Sequence, residues 1–114
     1  MPIAMPIDWV ALLLSVDGDE ASAREFAALF MEVGSNNLRA LMEALDRGDL
    51  QSVARGAHEI KGACANLRAP HAAAAAEKLE AAANDNSEPT AREIAEDLGR
   101  QLHSVIEFLA AKVA

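Results

Sequence analysis

A histidine, a lysine and a glycine at positions 58, 61 and 62 have the types and spacing for a chemical task. On a helix turning about 100° per residue, Lys61 lies one turn beyond His58 and Gly62 follows at i+4. Around His58 on that face sit Gln51, Ala54, Arg55, Lys61, Gly62 and Ala65. Leu50, Val53, Ala57, Ile60, Cys64 and Leu67 recur in steps of three and four and form a separate apolar stripe, its centre well over a quarter turn from His58. The imidazole is therefore expected in solvent, on a patch of mostly small side chains. Glycine inside an exposed helix costs about 1 kcal/mol relative to alanine, which this sequence uses freely elsewhere. Gly62 thus points to a place where even a methyl group would obstruct a visiting molecule. A reachable imidazole, a nearby cation and cleared space suit transfer of an anionic group. Phosphoryl fits: neutral imidazole attacks phosphorus through one nitrogen to give a labile phosphohistidine, and Lys61 offsets charge on the phosphoryl oxygens.

Other chemistries lack their residues. No P-loop, GxGxxG, CxxC or HExxH occurs, so no nucleotide site is visible and both phosphoryl donor and acceptor are expected to be other proteins. His71 and His103 have no partners at metal-ligand spacing, and neither a metal nor a cofactor is expected in this chain. Cys64 falls on the apolar stripe and reads as a small buried hydrophobe; a single cysteine also excludes an internal disulfide. A formal charge of −8 argues against a nucleic-acid footprint. The continuous apolar run Trp9 to Leu14 is far short of the ~20 residues of a membrane span, and the opening Met1 to Pro6 has no basic stretch. The expectation is a soluble, cytoplasmic protein that neither enters a membrane nor binds nucleic acid.

The 114 residues suit one domain, residues 1–114. An apolar fraction of 52% with only 4% aromatics, much of it alanine and little of it β-branched, favours helices over sheets. Asp8 is a candidate cap for a short helix from Trp9 to Ser15, which Asp17-Gly18-Asp19 breaks. Asp17 with Glu20, or Ser22 with Glu25, is a candidate capping box for the next helix. That helix carries Phe26, Leu29, Phe30, Val33, Leu38, Leu41, Met42 and Leu45 and is read as one long element with a weak middle at Gly34-Ser35-Asn36-Asn37. Gly48 suits the position after its end and Asp49 the next cap. A third helix is expected from about Leu50 to Arg68, and an alanine-rich fourth from Pro70 to about Ala83. After the turn Asn84 to Ser87, a last helix opens at Pro89 and reaches about Val113, with Ile94, Leu98, Leu102, Val105, Ile106 and Leu109 inward. Short connections make neighbours antiparallel, so the expected fold is an all-α, up-down-up-down four-helix bundle with a short extra N-terminal helix.

The segment Ala57-His58-Glu59-Ile60-Lys61-Gly62-Ala63-Cys64-Ala65-Asn66-Leu67 resembles the HxxKG signature of histidine-containing phosphotransfer (HPt) domains. The lead-in Ile7-Asp8-Trp9 with Asp17-Gly18-Asp19, the stretch Phe26 to Asp49 and Leu79-Glu80-Ala81 resemble the surrounding parts of such domains. The resemblance implies a phosphorelay shuttle: a receiver-domain aspartate donates to His58 and another receiver aspartate accepts. It implies a response regulator receiver domain and a hybrid histidine kinase as partners, with Mg²⁺ on the receiver, and a monomeric chain. His58 would be the phosphoacceptor, Lys61 its electrostatic partner and Gly62 the clearance residue. Ala54, Arg55, Ala65 and Arg68 would belong to the docking face. Related domains hold the second ring nitrogen with a Gln or Glu from the next helix, and Glu80 is the matching position. Arg68 departs from the family, which often has Gly there. It either ends the helix differently or extends the basic edge.

Two other readings remain on the residues alone. One is a helical adaptor that binds a receiver or kinase without transfer; intact His58 and Lys61 weigh against it. The other is a dimerising histidine-kinase core, whose Pro-bearing segment after the histidine is missing from Glu59-Ile60-Lys61.

Overall fold

The computed structural model describes residues 6–113. Five helices follow one another: α1 Trp9–Ser15, α2 Glu20–Asp46, α3 Leu50–Leu67, α4 Pro70–Asn84 and α5 Glu88–Val113, with no strand among the described residues. Of the opening Met1 to Pro6, residues 1–5 lie outside that range.

Caps explain most of the boundaries. The Asp8 carboxylate accepts from the Ala11 N–H at 3.0 Å and opens α1. Asp19, rather than Asp17 or Ser22, opens α2: its carboxylate accepts from the N–H groups of Ala21 and Ser22 and from the Ser22 hydroxyl. Asp17 instead takes a left-handed backbone in the preceding turn, with φ 55°. Asp49 opens α3, accepting from the Ser52 N–H and hydroxyl. Those serine hydrogen bonds hold the Asp19 and Asp49 carboxyls below their ordinary 3.8. α2 runs unbroken through its weak middle because Gly34 is buried there; an added Cβ would stand 3.3 Å from the Phe30 ring. α3 stops at Leu67, one residue early, where Arg68 turns left-handed with φ 66°. α5 begins at Glu88, which places Pro89 second rather than first.

The long helices form a ring: α2 packs on α3 and α5, α3 on α4, and α4 on α5. Three-residue or shorter connections make each reverse direction on its predecessor. α4 turns Ala72, Ala75, Ala76, Leu79, Ala82 and Ala83 inward, and these short side chains let it lie close along α3. Leu29 and Val33 of α2 depart from expectation, being 60% and 42% exposed. The inner line of α2 is made of Ala23, Ala27, Phe30, Gly34, Leu41 and Leu45, so two larger side chains fall outside it.

α1 lies across one end of the ring. Ile7 and Leu12 are buried, the Asp8 N–H donates to the Arg68 carbonyl at 2.8 Å, and Trp9 meets Phe108 with ring centroids 6.5 Å apart. The Lys112 ammonium sits over both rings. No helix among the described residues is long and apolar enough to cross a membrane.

Candidate functional site

The apolar stripe of α3 faces the core, with Val53, Ala57, Ile60, Cys64 and Leu67 all buried. That orientation carries His58, near the middle of the helix, outward with its side chain 65% exposed. Burial pushes the Cys64 thiol up to about 12, so this nearby nucleophile stays protonated and inert at neutral pH.

Glu80 reaches across from α4. One carboxylate oxygen lies 3.1 Å from His58 Nδ1, and the other accepts from Lys61 Nζ at 3.1 Å. A single carboxylate thus ties the imidazole and the ammonium together. Lys61 comes first among the causes that hold the Glu80 carboxyl below its ordinary 4.5, followed, against burial, by the charge and hydrogen bond of His58. A carboxylate has no proton to donate, so this contact is a hydrogen bond only when Nδ1 carries the proton, and in the neutral ring that tautomer leaves the Nε2 lone pair free. The structure brings together the two residues, His58 and Glu80, that the resemblance pairs. The Glu80–Lys61 pairing was not foreseen; positions 61 and 80 carry no shared pattern until helix packing joins them.

Gly62 is exposed, and an added Cβ would meet nothing within 4 Å. Packing within the chain therefore does not require a glycine there. Arg55 and Ala65 are exposed on the same helix. Ala54 is not: at 8% exposure it is buried, in the seam where α3 meets Glu80 and Asn84 of α4. It floors the trough that His58, Arg55, Gln51, Glu80 and Asn84 line. Arg68 is exposed just past the helix end, its backbone rather than its side chain tied to Asp8. No cluster suited to a metal ion occurs among the described residues.

Residues 25–111 match the Hpt domain family model. The chain belongs to the Hpt family. It is a histidine phosphotransfer protein of phosphorelay signalling, a phosphocarrier class that works with receiver domains and kinases. The Hpt fold also superposes on the crystal structure of histidine-containing phosphotransfer protein B (HptB) from Pseudomonas aeruginosa PAO1. The TM-score is 0.89 at 24% identity, covering 97% of this chain and 96% of that one. A search of curated proteins finds no match.

Proposed function

We propose that His58 is the phosphoacceptor and that this Hpt protein relays a phosphoryl group between receiver aspartates. The observation that carries the reading is the exposed imidazole whose Nδ1 is held by Glu80. The Nε2 lone pair attacks the aspartyl phosphorus. A P–N bond forms as the P–O bond to the aspartate breaks, and the receiver carboxylate leaves with the electron pair. The ring keeps its Nδ1 proton and gains positive charge, which the Glu80 carboxylate beside it offsets. Lys61, already within reach of the same carboxylate, is placed to turn toward the phosphoryl oxygens. The reverse step hands the group to the next receiver. Mg²⁺ in this scheme belongs to the receiver.

Arg55, Gly62, Ala65 and Arg68 form the docking face, with Ala54 as floor beneath His58 rather than as a contact. The chain acts as a monomeric, cytoplasmic carrier with no kinase activity of its own and is one domain over residues 1–114. A transfer-dead adaptor is disfavoured because all three members of the His58–Glu80–Lys61 chain are in place. Incubation with a phosphorylated receiver tests the reading: wild type should gain acid-labile label, and His58→Gln should gain none. Equal labelling of both would remove His58 from the role.

A further inference from the structure

His58 lines a trough of about 600 Å³, in which Arg55 is the cation and Glu59 and Glu80 are the carboxylates. Lys61 opens instead onto the neighbouring cleft, beside Ala65 and Arg68. We propose that Arg55 clamps the phosphoryl group once His58 is loaded, and so tilts the phosphoryl equilibrium between receiver aspartate and histidine toward the histidine. This rests on the reading of His58 as phosphoacceptor and deepens it.

Arg55 stands one turn before His58, at a spacing where helix side chains are neighbours. Helical side chains lean back toward the N-terminus, so the imidazole lies over the turn that carries Arg55. The guanidinium is also uncommitted. It donates to the Ser52 hydroxyl at 3.1 Å, and Arg55 forms no ion pair among the described residues. Lys61, in contrast, is tied to Glu80 at 3.1 Å. A phosphoryl group is a stronger acceptor than a neutral hydroxyl, and its oxygens match the guanidinium fork in pairs.

Charge points the same way. A phosphoryl group brings about two negative charges at neutral pH, so with the loaded ring cationic and Glu80 cancelled by Lys61 the site is left about one charge negative. Glu59, in the same trough, adds to that excess. Arg55 supplies the missing positive charge. In the exchange the Nε2 lone pair forms the P–N bond, the aspartate keeps the P–O pair, and no proton leaves the ring. Only the loaded state offers oxygens to hold, so the clamp stabilises phosphohistidine and leaves the free imidazole as it was. Docking cannot imitate this, because the equilibrium between separated proteins does not depend on how tightly they meet.

Two measurements on the full chain test the clamp. In the first, phosphoramidate, a small phosphodonor, loads the protein and ³¹P spectra follow the last ionisation of the phosphoryl group. His58→Gln gives the background from His71 and His103, which are both exposed. A nearby cation favours the dianion, so Arg55→Gln should raise the midpoint pH above that of wild type. Arg55→Lys, with charge but no fork, should fall between them. In the second, the receiver that exchanges phosphoryl with wild type fastest, from a panel of the source organism, is mixed with each variant until the distribution is constant. Arg55→Gln should shift the equilibrium constant toward the receiver by about threefold, as suits an exposed pair, and high salt should narrow the gap. Arg100→Gln, an exposed cation on α5, should match wild type in both measurements. An Arg55→Gln protein with the wild-type ³¹P midpoint, or with the wild-type equilibrium constant, overturns the proposal. A changed transfer rate at an unchanged equilibrium constant does so too, and leaves Arg55 a docking residue. Wild type with no ³¹P signal above the His58→Gln background would sink the phosphoacceptor reading and the clamp with it. A His58 signal indifferent to Arg55 would sink the clamp alone.

Discussion

Glu80 uses both carboxylate oxygens, one on His58 Nδ1 and one on Lys61 Nζ, and its substitutions separate the two duties. Gln keeps a carbonyl that accepts from Nδ1–H but turns an amide N–H₂ toward the lysine. Leu removes both contacts. Glu80→Gln should therefore keep the Nδ1–H tautomer in ¹⁵N spectra of the ring, whereas Glu80→Leu should lose that preference and fall further in kcat than in KM. Identical ring spectra for wild type and Glu80→Leu would reduce Glu80 to a surface charge. Removal of a donor from an enclosed oxyanion site costs about 10²–10³ in rate. Lys61 is one-third exposed, so water shares its work. Lys61→Ala should slow transfer by roughly tenfold and leave labelling of His58 measurable; an unchanged rate would take Lys61 out of the mechanism.

Helix glycines and helix ends place those residues, and here stability and function pull apart. Gly62 on α3 and Gly99 on α5 both stand where an added Cβ meets nothing within 4 Å. Gln at either position should gain helix propensity, roughly 0.5 kcal/mol, seen as a rise of a few degrees in Tm. Only Gly62→Gln should weaken receiver transfer, because only that glycine lies beside His58. Equal transfer by both variants would refute the clearance argument. Arg68→Gly relieves a left-handed backbone that disfavours any side chain, with a net gain of roughly 0.5–1 kcal/mol after the entropy cost of glycine. A lower Tm would show that the Arg68 side chain supports the turn. These elements were readable because strong periodicity and Asp, Gly and Pro punctuation agree. The core face of α2 is less so: Ala23, Ala27 and Gly34 lie along it, whereas the larger Leu29 and Val33, at helical spacing in the sequence, stand exposed. Glu80's grip on Lys61 and the packing of α1 across the end of the ring arise from contacts between helices, which no local pattern encodes.

The whole molecule binds its titrating groups into a stability plateau with two edges. Asp19, Asp49 and Glu80 have folded pKa values below their ordinary 3.8, 3.8 and 4.5. The unfolded chain binds protons there first, so their contribution is complete above those ordinary values and disappears as pH falls through them to the lower folded ones. Cys64 works in the opposite direction. Its folded value of about 12 stands above the ordinary 9.0, so unfolding releases a proton once pH exceeds 9.0, and stability falls with rising pH across that interval. Urea midpoints should be flat from about pH 5 to pH 8 and decline on both sides. Cys64→Ala leaves a small void beside Ile60 and Leu67 and should lower the whole curve, yet it should remove the cysteine's share of the alkaline decline. Cys64 is wholly buried, so a thiol reagent at pH 8 should reach it only through unfolding, at a rate that rises with urea as the global transition does. Labelling at the free-thiol rate in native buffer would mean that α3 opens locally at its core face, and a helix that opens there could not hold His58 in register with Glu80.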